Sequence, residues 1–432
     1  MKTICRYIAT AIASTAILIV SVSAGYSLED TRDTTYVFTL NNLLDIASRR
    51  NPEIRAAEEA VYAAGHRVSV AKGYPDPMFT FTYFPESIET RLGPQRSILY
   101  LMQPIPFPGK LSAKGSISTL EATITQERLK ITTLRIRRKV KDAYYTLLAA
   151  ERADAILDRQ DELFGQFEQL VNTRLETGKA PQHDLLKVQM QRLRLHEKKL
   201  ANDERRSTLT ASLNELLNRR PNDPIEIEPA GTTSEIGLSL DELRRLALDQ
   251  PELRLGELVV DQRMQSVALA RKGYLPDFTV GMSYFVIGES PLAIPDSGND
   301  AWNVSIGARI PLWFGKVRGD VAAARSLVRH AEYTLASARS HILAAIESLH
   351  RQYRIARDMV SLYEDELIPR GRRVLESAEA GYVTGEVDFL SVLDSEVMLL
   401  ELQISHAEKT AELERTIAAL EEAAGADLVP IE

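Results

Sequence analysis

Ile105-Pro106-Phe107-Pro108-Gly109-Lys110 returns, little changed, as Ile310-Pro311-Leu312-Trp313-Phe314-Gly315-Lys316. Outward from these two stretches the correspondence continues. Upstream, Asn51-Pro52-Glu53-Ile54-Arg55 answers to Gln250-Pro251-Glu252-Leu253-Arg254, and Lys72-Gly73-Tyr74-Pro75 to Lys272-Gly273-Tyr274-Leu275-Pro276. Downstream, Thr177-Gly178 answers to Thr384-Gly385. The offset drifts only from 199 residues (Asn51 to Gln250) to 207 (Thr177 to Thr384). Matches in one order at a nearly constant offset mean a duplicated half-molecule, because a period of roughly 200 residues far exceeds any solenoid unit. The copies occupy 39–218 and 239–424. A proline-bearing linker, 219–238, joins them; an extended segment, 25–38, precedes them and a tail, 425–432, follows.

Each junction opens a long helical pattern. Val321, Ala324, Val328, Ala331, Leu335, Ala338, Ile342, Ala345 and Leu349 recur in steps of three and four, a coiled-coil seam. The pattern predicts helices over 316–384 and 388–424, and their counterparts over 110–177 and 182–218. At 1.5 Å per residue, about 65 residues extend for roughly 100 Å. Helix pairs of that length belong to a rod or a tube.

Before each junction a single helix and two short strands are expected. The alternation of apolar and polar residues predicts strands at 78–84, 96–104, 277–286 and 301–311. About ten residues is the length of a tilted strand crossing a bilayer. Tyr83, Tyr284 and Trp302 fall at the loop ends of their strands, where an aromatic girdle belongs. Four strands cannot close a barrel, and an open edge does not survive in lipid. Strands in a membrane therefore require several chains to share one barrel; three chains supply twelve strands, an even number within the known range. The fold class expected is mainly α with a small β part.

The chain has 432 residues, 52 basic and 60 acidic, for a formal charge of −8, which disfavours nucleic acid as a partner. Aromatic content of 6% is low for a large barrel built from one chain. Cys5 is the one cysteine, so no disulfide framework or multi-cysteine metal site is available. Lys2, Arg6, the apolar stretch Ile8–Val22 and Val22-Ser23-Ala24 read as a signal peptide, 1–24, cleaved after Ala24. Cys5 lies outside that cleavage site, so a lipoprotein is not expected. Enzyme signatures are weak. His196-Glu197 is followed by Leu200 where a zinc-protease pattern needs histidine, and neither Gly-Lys pair lies in a phosphate loop. No cofactor or metal is expected. His183, beside Asp184, stands at a helix turn where it could face a pore.

With the duplication, the two junctions and the segment Gly381-Tyr382-Val383-Thr384-Gly385-Glu386-Val387-Asp388-Phe389-Leu390-Ser391-Val392-Leu393-Asp394, the chain resembles the TolC-like outer-membrane factors. The resemblance runs from about Leu40 to Gly425. It implies a homotrimer in Gram-negative outer-membrane lipid, with a 12-stranded β-barrel continued by a periplasmic α-helical barrel. It implies an efflux channel fed by an inner-membrane efflux pump through a periplasmic adaptor (membrane fusion) protein and closed at its periplasmic end by coiled helices. By the same resemblance Asp394 matches an acid that rings the constriction, and Ser391 stands where a second acid is often found, with Asp388 a lesser candidate. Tyr382 and Asp184 match a tie between inner and outer helix pairs, while Val387 replaces an arginine that often assists it. The turns carrying Thr177, Gly178 and Lys179, and Thr384, Gly385 and Glu386, match adaptor-docking tips; as bare sequence they read equally as simple helix–helix turns. Type I protein secretion and a soluble periplasmic coiled-coil adaptor or scaffold remain alternatives.

Overall fold

A computed structural model describes residues 37–228, 235–290 and 295–429. The expected signal peptide and 25–36 of the expected extended segment lie outside the described residues. The first copy runs β1 (Val37–Phe38), α1 (Leu40–Arg50), α2 (Pro52–Lys72), β2 (Met78–Thr90), β3 (Gly93–Ile105), α3 (Lys110–Glu176) and α4 (Gln182–Leu216). After β4 (Glu226–Ile227) the second runs α5 (Leu240–Leu248), α6 (Pro251–Arg271), β5 (Asp277–Ile287) and β6 (Ala301–Arg309). It continues as α7 (Phe314–Ser361), a π-helical turn (Leu362–Leu367), α8 (Ile368–Thr384) and α9 (Phe389–Ala424). The 219–238 stretch is more than a linker, since β4 within it pairs in parallel with β1.

Each copy opens with two helices rather than the single one expected. Pro52 and Pro251 take the first position of α2 and α6, where a missing N–H is harmless. Asn51 caps α2: its Oδ1 accepts from the N–H of Glu53 at 2.9 Å, and its Nδ2 donates to the Leu216 carbonyl at 2.9 Å. One side chain thus starts α2 and ties it to the end of α4.

The α3 helix is 67 residues without a break, roughly 100 Å at the α-helical rise. Its counterpart does not form the single 316–384 helix expected. A six-residue π turn separates the 48 residues of α7 from the 17 of α8. The physical reason is Pro369, which has no N–H to donate and crowds the carbonyl one turn back, so the preceding turn widens. The seam is nevertheless where the spacing placed it: Val321, Ala331 and Ile342 are buried and its other members half-buried.

The sheet has the order β2-β3-β5-β6, every pair antiparallel. The first hairpin is longer than its expected strands, 78–84 and 96–104: β2 continues to Thr90 and β3 begins at Gly93. A register shift between Tyr83 and Ile88 absorbs Pro85, which cannot donate to the ladder. β6 ends at Arg309, short of the expected 311, at the approach to Pro311. Away from the sheet the core has three parts. Leu43 with Val140 and Leu213 centres one, Leu243 with Ile346 and Leu413 its counterpart in the second copy, and Phe164, Val188 and Leu393 the third. Leu43 and Leu243, both 0% exposed, hold equivalent places in the two copies.

Candidate functional site

The sheet sorts its side chains by face. Phe79, Phe81 and Tyr83 on β2 lie level with Leu101 and Leu99 on β3, Met282 and Tyr284 on β5, and Val304 and Trp302 on β6. The opposite face carries Thr80, Thr82, Ser283, Asn303 and Ser305. Apolar side chains on the first face stay in the open, with Phe79 62%, Tyr83 64%, Trp302 65% and Ile306 79% exposed. Of the expected girdle, Tyr284 and Trp302 are direct cross-strand partners. Tyr83 sits one pleat nearer the loops, because it opposes Ser97 while Tyr284 opposes Leu99. Tyr284 Oη donates to Asp300 at 2.6 Å at the mouth of the loop.

The repeated junction makes a clamp in the first copy. Lys110 Nζ donates to Asp277 Oδ1 at 2.8 Å and to the Leu275 carbonyl at 3.0 Å, and the Phe107 N–H reaches the same Oδ1 at 2.8 Å. Gly109, at φ 85°, makes the turn that aims Lys110, and a Cβ there would come within 2.8 Å of Lys272 Nζ. The clamp locks the start of α3 to the start of the second copy's strand.

The helix tips lie at the other end of these helices. In the first, Lys179 N–H donates to the Arg174 carbonyl at 2.7 Å, closing α3 around Thr177 and Gly178. In the second, Gly385 takes φ 83° after Thr384, and Glu386 N–H returns to the Gly381 carbonyl at 2.8 Å, an αL helix stop that glycine makes cheaply. Asp388 caps α9, accepting from the Ser391 N–H at 3.1 Å and its hydroxyl at 2.7 Å. The Ser391 hydroxyl, then its N–H, holds the Asp388 carboxyl below the usual carboxylate range. Ser391 and Asp388 are therefore committed to each other. Asp394 is exposed, with no ion pair or side-chain hydrogen bond among the described residues.

Tyr382 and Asp184 are not joined by a hydrogen bond. Asp184 is buried and meets His183, whose Nε2 lies 3.1 Å from Oδ1. Tyr382 instead turns its ring under Arg174, whose guanidinium carbon sits 4.5 Å from the ring centroid. The Tyr382 ring meets Phe389 edge-on at 5.7 Å, and Phe389 meets Phe167 at 5.6 Å. This aromatic run crosses from α8 to α9 to α3 and returns to α3 through Arg174, linking the second copy to the first. Nearby, Glu396 is buried with Gln160 Nε2 3.4 Å away. Burial pushes its carboxyl up; the Gln160 hydrogen bond opposes this and the charge of Glu379 adds to it. Among the described residues no helix is long and apolar enough to cross a membrane, and no group of three or more His, Cys, Asp or Glu side chains could hold a metal.

The pattern of the family described as outer membrane efflux protein matches residues 43–219 and 243–426, both copies of the unit. The chain belongs to the outer membrane efflux protein family. Cobalt-zinc-cadmium resistance protein CzcC of Cupriavidus metallidurans is 21% identical over 375 residues, 85% of either chain. The crystal structure of the outer membrane protein VceC from Vibrio cholerae superposes with a TM-score of 0.76 at 18% identity, covering 90% of this chain and 96% of that one. CusC gives 0.75 at 15% identity, covering 91% and 94%. These structures share the fold. The family is one of outer-membrane efflux channels, not of enzymes.

Within this efflux protein, Arg174, Phe167 and Glu396 were missed as tip residues from the sequence. Phe389 belongs to the Gly381–Asp394 segment, and its place between Tyr382 and Phe167 shows only in the fold. Arg174 carries no motif of its own; only folding the two tips together brings it over Tyr382.

Proposed function

We propose that three copies of this efflux protein form a passive exit duct of a tripartite pump. Their sheets close a 12-stranded barrel in the outer membrane, and their helices continue it into the periplasm. A periplasmic adaptor docks on the tips around Thr177, Gly178 and Lys179 and around Thr384, Gly385 and Glu386. An inner-membrane pump supplies the cargo. The observation that carries this reading is the sheet, whose apolar face is exposed and whose outer strands, β2 and β6, each have one edge unpaired among the described residues. In water such a face is an association site, and in lipid an open strand edge is untenable, so membrane insertion and closure by further copies answer both. Leu186, Met190, Leu193 and Leu200 support the same assembly, forming an exposed stripe at coiled-coil spacing on α4.

The helix tips close the duct in this reading, and the contact that holds them is the Arg174–Tyr382–Phe389 run rather than a Tyr382–Asp184 bond. Asp394, free of partners, supplies the acidic ring at the constriction. Because CzcC is a cobalt-zinc-cadmium resistance protein, those cations are the first cargo to assay. The experiment is light scattering on detergent-extracted protein followed by single-channel recording in planar bilayers. Trimers with a small, cation-preferring conductance are expected. A monomer that stays soluble without detergent would overturn the reading.

A further inference from the structure

The Lys110–Asp277 clamp has a duplicate whose two halves never meet within one chain. Lys316 stands in the second junction where Lys110 stands in the first. Asp76 stands before β2 where Asp277 opens β5, at the same offset of 201 that separates Tyr83 from Tyr284. Both side chains are exposed, and among the described residues neither makes a hydrogen bond or an ion pair. They flank the two open edges of the sheet, Lys316 following β6 and Asp76 preceding β2.

We propose that Lys316 of one copy clamps Asp76 of the next, repeating between copies the contact that Lys110 and Asp277 make within one, and that this clamp sets the register of the joint between β6 and the neighbouring β2. The occupant of the open edge is thus a second copy of this chain, selected by a lysine at one edge and a carboxylate at the other. The register follows from the internal duplication. Tyr100 opposes Ser283 and Leu101 opposes Met282 in the β3–β5 pair. Moving the first member by 205 (Ile105 to Ile310) and the second by −201 (Tyr284 to Tyr83) puts Ser305 opposite Thr82 and Ile306 opposite Phe81. A strand has period two, so an odd error would have paired apolar with polar faces. Both transferred pairs instead match: Ile306 and Phe81 lie on the apolar face, Ser305 and Thr82 on the polar one. Trp313, 81% exposed, occupies the place of Phe107, which in the first copy stacks on Phe278 at 6.4 Å.

This inference rests on the multimeric reading above, and its test separates the two. Ser305→Cys with Thr82→Cys, oxidised in outer membranes, is expected to give a covalent ladder ending at three chains on denaturing gels. Pairing Ser305→Cys with Thr80→Cys or Phe84→Cys, two residues out of register, is expected to crosslink at least tenfold less. Lys316→Glu and Asp76→Lys alone are each expected to lower the yield of detergent-resistant multimer several-fold, and the double variant to restore it. Tyr100→Cys with Ser283→Cys, directly opposed within one chain, provides an intrachain control for folding. Trimers that crosslink best at a shifted position, or that ignore both charge reversals, would overturn the clamp while leaving the duct standing. Parent protein that scatters light as a monomer would overturn both.

Discussion

Arg174 and Glu396 carry the chemistry of the tips, and each makes its own prediction. A guanidinium over an aromatic face contributes about 0.5–2 kcal/mol, more as water is excluded. Arg174 is only half-buried, so the middle of that range applies. Arg174→Ala is therefore expected to shift the closed–open balance by roughly 1 kcal/mol per copy, about fivefold, seen as longer open times in bilayers. Tyr382→Phe keeps the ring and is expected to leave conductance near the parent's, whereas Tyr382→Ala opens the duct. If Tyr382→Phe opened it as far as Tyr382→Ala, the hydroxyl and not the ring would be the latch. Glu396 adds a pH dependence. Its folded carboxyl is pushed above the ordinary glutamate range, first by burial. Between the unfolded and folded titrations the native state holds a proton that the unfolded chain has released, so stability falls as pH rises through that window. Glu396→Gln removes the slope. Its melting temperature is expected to match the parent's near pH 4 and exceed it at neutral pH, read by circular dichroism in detergent.

The elements depend on a few positions where the backbone has no alternative. Gly109 is the clearest, because its positive φ strains any side chain there, while the neighbouring Lys272 Nζ is the end of a flexible chain that can step aside. Gly109→Val is expected to cost about 1–2 kcal/mol from the left-handed backbone alone and to misdirect Lys110. Losing the Lys110–Asp277 bond adds about 1–2 kcal/mol, held to that scale because the Asp277 side chain is 37% exposed. A lower melting temperature, with trimers still recovered, is the expected measurement. The seam, the duplication and the strand pattern were legible in the sequence because each repeats a simple period. The break in the second long helix was not. Pro369 was visible, but a 17-residue helix resumes after it, and only the packing of α8 on α9 makes a π turn cheaper than a stop. The long first hairpin was hidden for a related reason, since Pro85 reads as a strand end and the bulge lets the strand continue. Ser391 and Asp388 are ring candidates through the family resemblance; Asp388-Phe389-Leu390-Ser391 is also a helix start, and their mutual hydrogen bonds make that cap, a local role the resemblance does not disclose.

At the scale of the whole molecule, the proposed duct would pass cargo according to the charges that three copies bring to one axis. Of the acids near the second tip, Asp388 is engaged by Ser391 and Glu396 is buried beside Gln160. Glu401 and Glu408 pair with Lys198 and Arg205 on α4. On α9 itself Asp394 is an exposed carboxylate without an ion pair among the described residues, with Met398 one turn on at 38% exposure; Glu379 and Glu386, on α8 and in the turn, are exposed as well. Three such carboxylates facing a narrow opening favour cations, and their field reaches about 30 Å at 0.01 M salt but only about 10 Å at 0.1 M. Asp394→Asn keeps the shape and removes the charge. It is expected to move the reversal potential under a salt gradient toward zero and to weaken block by multivalent cations severalfold, with the larger change at low salt. Glu401→Gln, which only frees Lys198, is expected to change selectivity far less. Equal shifts from both variants would mean that the summed charge of the helix face, and not a ring of Asp394, sets the preference.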